Sequence, residues 1–268
     1  MQVKYRINFI ILFCILIAAA TVSCKKTKKT EDIKINENKS SQQQEDIVLN
    51  QQMTAQDLLS LGLAEMNVAD KNVIPEYSYN KALGYFQQVV KLYPASFEAV
   101  EAQFNMAKFT EQKIKFLNLR EISLRQKQGE TLDTIKPFLV SYNQAINEYL
   151  EIYNKREYWN TFTPQQRERA KFLCTNALMQ AAKLASDETN SKVDYGKAID
   201  IYKIVYKEFR DYTNFGDLAI FSIVNIYYAQ KEWPKVIEYG KIMEEMFPQS
   251  IYMVDVQNKV RRAQFNLK

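Results

Sequence analysis

The pattern of apolar and polar positions divides this 268-residue chain into three stretches. Ile7 to Ala20 (INFIILFCILIAAA) is an apolar run of 14 residues, interrupted only by Asn8 and preceded by Lys4 and Arg6. From Lys25 to about Gln52 the chain is polar (KKTKKTEDIKINENKSSQQQEDIVLNQQ) and holds no aromatic residue. From Thr54 onward apolar residues recur three and four apart, the spacing that gives a helix one buried face. Start signals punctuate this third stretch. Thr54-Ala55-Gln56-Asp57 has the form of a capping box, Ser96 can cap a helix carrying Val100, Phe104, Ala107 and Ile114, and Thr163-Pro164-Gln165-Gln166 combines a cap, a proline at the first helical position and a glutamine reaching back. The helix that begins after Ser96 is expected to stop near Gly129. Further helices are predicted at about 214–230 and 251–265.

A motif repeats between these starts. Ala82-x3-Phe86-x7-Pro94 stands in YNKALGYFQQVVKLYP, Ala145-x3-Tyr149 in YNQAINEYLEIY, Ala198-x3-Tyr202-x7-Arg210 in YGKAIDIYKIVYKEFR, and Val236-x3-Gly240-x7-Pro248 in WPKVIEYGKIMEEMFP. It resembles the second helix of the tetratricopeptide repeat, in which a small residue, an aromatic and a helix-stopping proline follow at these offsets. Gly240 stands in an aromatic's place and Arg210 in a proline's. The starts and motifs together predict an all-α, tetratricopeptide-like solenoid of about four to five helix pairs over 54–268. The motifs are 63, 53 and 38 residues apart, against a period of about 34, so long first helices or an inserted loop near 126–137 are required. On the helix carrying Ala198, Lys203 is predicted to face outward.

Composition agrees with helices. Six glycines and six prolines replace the roughly 19 and 13 of an average chain this long, too few for the turns of a barrel or sandwich. Histidine is absent, which removes the commonest general base and metal ligand. No phosphate loop, dinucleotide fingerprint or nucleophile elbow is found, so no catalytic, cofactor-binding or metal-binding residue is assigned and the chain is not expected to be an enzyme. Carboxylates adjacent in sequence, such as Glu244 and Glu245, point to different sides of a helix and are expected to be solvated, as are Arg167, Glu168 and Arg169. The net charge of +5 is concentrated outside the repeats, where 28 basic residues meet 26 acidic ones, so a nucleic-acid partner is not expected. Aromatic clusters (Tyr149, Tyr153, Tyr158 and Trp159; Tyr227 and Tyr228) are expected in the seams between helices, with an aromatic-lined peptide groove as the alternative. Cys174, in AKFLCTNALMQAA, reads as a buried, unreactive thiol.

The first two stretches read as a leader and a tether. The charged start, the apolar run and the small residues Thr21, Val22 and Ser23 before Cys24 form a signal peptide over 1–23, and the run is too short to span a bilayer. The tetrad ending in Cys24 resembles a lipobox, whose cysteine is acylated and becomes the new N-terminus; Thr21 departs from the leucine usual there. Residues 24–53 then form the lipidated cysteine and a tether too polar to order itself, with a coil dimension of roughly 30 Å.

Leader, lipobox, tether and helix pairs, with the segment from Tyr79 through Ala82 to Tyr93, Pro94 and Phe97, resemble the BamD family, lipoproteins of the outer-membrane β-barrel assembly machinery. The resemblance implies a lipid-anchored scaffold facing the periplasm, on the outer membrane, binding other envelope proteins or peptides. Two other tetratricopeptide roles share this plan: partner of a binding-protein transporter, and envelope or cell-division coordinator. The sequence sets no oligomeric state.

Overall fold

A computed structural model of the chain describes residues 53–69, 76–210 and 215–268; the leader, Cys24 and the tether through residue 52 lie outside the described residues. The helices are α1 (Ala55–Ala69), α2 (Glu76–Leu92), α3 (Phe97–Gln126), the short α4 (Leu132–Ile135), α5 (Asn143–Asn154), α6 (Pro164–Ala185), α7 (Tyr195–Glu208), α8 (Phe215–Ala229), α9 (Trp233–Met246) and α10 (Met253–Asn266). A 3-10 turn at Lys136–Phe138 follows α4, and a second 3-10 segment, Arg156–Thr161, follows α5. The described residues contain no strand.

The expected starts are where the caps form. The Thr54 hydroxyl accepts from the Asp57 N–H at 3.2 Å while the Asp57 carboxylate accepts from the Thr54 N–H at 3.0 Å. The Ser96 hydroxyl accepts from the Ala99 N–H at 3.1 Å. Thr163 and Gln166 close their capping box in both directions, at 3.3 and 3.1 Å. Asp194 caps α7 through the Lys197 N–H at 2.8 Å, a start the sequence pattern does not flag. At the far end of α3 the chain turns through Gly129, whose φ of 85° is open to glycine without strain, and the Glu130 N–H returns to the Arg125 carbonyl.

Each long helix packs on the next one along the chain, giving the pairs α1/α2, α3/α5, α6/α7 and α8/α9, with α10 closing on α9. Contacts that skip a helix run from α1 to α3, α6, α8 and α10 in turn. These are the first helices of successive pairs, so they share a layer, which is how a helix-pair solenoid is assembled. The irregular spacing of the motifs has two causes. α3 is 30 residues long, and residues 127–142 are an insertion carrying α4 and the 3-10 turn. The insertion is tied down by Asn118, whose side-chain amide donates to the Val140 carbonyl at 2.9 Å and accepts from the Val140 N–H at 2.8 Å. Ile135, the last residue of α4, is fully buried and anchors the insertion from within.

All four motif positions Ala82, Ala145, Ala198 and Val236 are buried, as are Phe86, Tyr149 and Tyr202. Gly240 is a fitted exception rather than a missing aromatic. A Cβ at Gly240 would come within 2.3 Å of the Val260 side chain of α10, so α9 and α10 approach too closely for any larger residue. In the first pair the roles are exchanged: Gly62 of α1 receives the Phe86 ring, 2.5 Å from where its Cβ would stand.

Apolar packing falls into two clusters. A small one joins Leu58 and Leu59 of α1, Ala82, Phe86 and Val89 of α2, and Ala99 and Ala102 of α3. The main one begins with Val100, Ala107 and Ile114 on α3 and extends through every later pair to Ala263.

Candidate functional site

Among the described residues no group of three or more Cys, Asp or Glu stands in metal-binding proximity. Glu244 and Glu245 are exposed. Of the buried acids, Glu111 accepts from the Tyr149 hydroxyl at 2.7 Å and from Lys115, and burial together with that carboxylate holds the Tyr149 phenol far above its ordinary range. Asp217 accepts from the Ser250 hydroxyl at 2.7 Å and from the Leu218 N–H at 2.7 Å. Both carboxylates hold helices to their neighbours.

Cys174 is fully buried, and burial pushes its thiol up to about 12. At neutral pH its thiolate fraction is then lower by about three orders of magnitude than that of a free thiol near 8.5. A maleimide is expected to modify it only after denaturant is added, with the site read by peptide mass spectrometry. Prompt labelling in the folded state would show that the surrounding helices open readily.

The triplet on α6 is not uniformly solvated. Arg167 donates to the carbonyls of Trp159 at 3.2 Å, Asn160 at 3.4 Å and Phe162 at 3.3 Å, and so fastens the 3-10 segment to the start of α6. The signal was available in principle: a helix following a 3-10 end needs donors for the carbonyls left over. Arg169 reaches Glu101 of α3 at 3.6 Å, while Glu168 pairs with Lys171 along the exposed side of α6.

The aromatic clusters lie mainly in seams. Tyr149 meets Phe104 edge-on with ring centres 5.9 Å apart, Tyr227 tilts on Tyr239 at 5.5 Å, and Tyr228 meets Trp233 at 5.6 Å. Trp159 is buried, and Tyr153 is spanned by the Arg156 guanidinium at 3.5 Å while its hydroxyl donates to Glu208. Tyr158 lines a cleft of about 10 Å³ with Pro94, Val100 and Phe162, room for no more than a water molecule.

What remains for a partner is surface, and it is unevenly apolar. Among the described residues twelve large hydrophobic side chains are exposed, and ten of them fall on two stretches. One stretch is the far half of α3 with its insertion: Phe116, Leu117, Leu119 and Leu124, with Phe138 and Val140. The Arg125 guanidinium lies 3.6 Å from the centre of the Phe138 ring, and Asn118 holds Val140, so the insertion is kept in place against α3. The other stretch is α10 and its flanks, with Ile251, Val254, Phe265 and Leu267. Next to it, Tyr228, Asp255, Asn258, Lys259, Arg261 and Arg262 line an open recess of about 450 Å³. Monomeric surfaces keep large apolar side chains scattered, so concentrated exposure is a mark of contact with another molecule.

The described residues therefore form an all-helical, solenoid-like stack of helix pairs. No family model matches the chain, and no characterised protein matches it. No helix among the described residues is long and apolar enough to cross a membrane.

Proposed function

We propose that this chain is a lipid-anchored cell-envelope scaffold of the tetratricopeptide type, held to the membrane through Cys24 and engaging another envelope protein through the far half of α3. The setting that agrees best with its plan is outer-membrane protein assembly. The observation carrying the binding role is the concentration of exposed large apolar side chains on the far half of α3, Phe116, Leu119 and Leu124, and on its insertion, where Arg125 holds Phe138. The reading of the anchor rests on the residues before Cys24 and on the polar stretch that follows, where two or three acyl chains would give lasting attachment at about 0.8 kcal/mol per buried CH₂.

Two measurements test the two halves separately. Cys24→Ala is expected to abolish labelling by a palmitate analogue and to release the protein from the membrane fraction; label retained by the variant would overturn the anchor. Phe116→Glu with Leu119→Glu is expected to remove the main crosslinked partner recovered from membranes, while circular dichroism and Cys24 labelling stay unchanged. An unaltered crosslinking pattern would place the binding surface elsewhere.

A further inference from the structure

The outward side of α10 carries a pattern that its inward side does not require. Met253, Val256, Val260 and Ala263 face α9 and the main core. On the opposite side Val254, Asn258, Arg261 and Phe265 are all exposed and follow one another at intervals of four, three and four. That is the 3.5-residue spacing of a helix–helix seam. Val254 is 69% exposed and Phe265 78% exposed, values a seam would reduce sharply.

The order of residues along the stripe is self-complementary. When a second α10 is laid antiparallel about an axis midway between residues 259 and 260, Val254 comes opposite Phe265 of the second copy, and Asn258 comes opposite Arg261. On the flanks, Asp255 meets Gln264 and Gln257 meets Arg262. Every apolar position faces an apolar atom group, and no position faces its own charge. Asn258 is already an acceptor for Arg261, whose guanidinium donates to it at 2.6 Å, so this pair is suited to sit at the axis. The parallel arrangement sets Arg261 against Arg261 in the middle of the seam and is disfavoured by repulsion. Arg261 donates to Asn258 and Arg262 is engaged by the Tyr228 hydroxyl, and a guanidinium carries five N–H donors, so each keeps donors for the amides of the second copy.

We infer that α10 is an isologous interface through which two copies of this chain pair antiparallel, with Val254 and Phe265 as its apolar ends and Asn258 and Arg261 at its centre. A two-fold interface must match itself residue by residue, and this stripe does. One helix against another covers less than a standard interface, so the association is weak and concentration-dependent. The inference is independent of the anchor and of the α3 surface.

The test is sedimentation equilibrium of the full chain in mild detergent over a wide concentration range. The unaltered chain is expected to show a monomer–dimer equilibrium. Val254→Lys and Phe265→Glu, each alone, are expected to raise the dissociation constant by about tenfold or more. The double variant is the decisive one. Residues 254 and 265 are too far apart to pair within one helix, yet across the antiparallel axis each new lysine meets a new glutamate, so dimerisation returns. Both positions are exposed, and circular dichroism is expected to show all three variants folded. A chain that stays monomeric at every concentration overturns the interface. Single variants without effect, or a double variant no better than the singles, overturn the antiparallel register and with it the proposal. Binding of the monomeric chain to anionic vesicles through α10 would name a bilayer as the occupant and would overturn it too.

Discussion

Phe86→Ala is expected to melt the first helix pair while the remaining pairs stay folded. The ring is 1% exposed and lies on Gly62, where no side chain shares the space. Truncating a buried phenylalanine costs about 3–5 kcal/mol, because the cavity adds to the lost transfer free energy. The small cluster to which Phe86 belongs contains seven buried residues, so few other contacts offset the loss. The Tyr93 hydroxyl donating to the Met53 carbonyl at 2.5 Å and the Lys81–Glu65 ion pair at 2.6 Å are further ties of this pair, and both are near the surface. In a solenoid each unit contacts only its neighbours, which allows one end to open by itself. Hydrogen exchange should therefore accelerate over 55–92 and remain slow in α6 to α9. Equal acceleration throughout would mean that the two clusters unfold as one, despite their separation.

Ala198→Leu should destabilise the main cluster around α7. Ala198 is fully buried where α7 packs between α6 and α8, with no room for a branched side chain. Overpacking typically costs about 1–3 kcal/mol, and a domain of this size loses about 2–4 °C of melting temperature per kcal/mol. The exchange increase is expected between residues 164 and 229. Lys203 lies on the outward side of the same helix but is only partly open, at 34% side-chain exposure and 3.2 Å from Asp200. Asp200, 76% exposed, makes the better control, and Asp200→Ala should stay within about 0.5 kcal/mol of the parent. If both substitutions have the same effect, Ala198 is not at the crossing of the helices.

The closing contact between α9 and α10 shows how motif and packing divide the information. Gly240 breaks the repeated motif, and by sequence it is only a departure. In the folded chain it is the point where Val260 enters, so the large residue has moved from one helix to the other and the volume of the crossing is conserved. A motif written along one helix cannot register that exchange, because the partner atom is supplied from 20 positions away. Arg167 is a similar case. Its neighbours make it look like part of a solvated charged face, whereas its partners are backbone carbonyls of the preceding 3-10 segment.

Helix content, the starts at Thr54, Ser96 and Thr163, the stop at Gly129 and the burial of the Ala82, Ala145 and Ala198 positions were determined by the sequence alone. These depend on capping geometry and on a 3.6-residue period, which are local and act within a few positions. The tertiary structure alone decided that 127–142 is folded onto α3 through Asn118, and that the aromatic clusters lie in seams. It also decided that the apolar side chains left exposed gather on the far half of α3 and on α10. Which face of a helix is covered depends on distant helices and their lengths, and α3, at 30 residues, extends well beyond the 12 of its partner α5. Periodicity marks an apolar face without saying whether a neighbour reaches it, and that is settled only when the pairs are stacked.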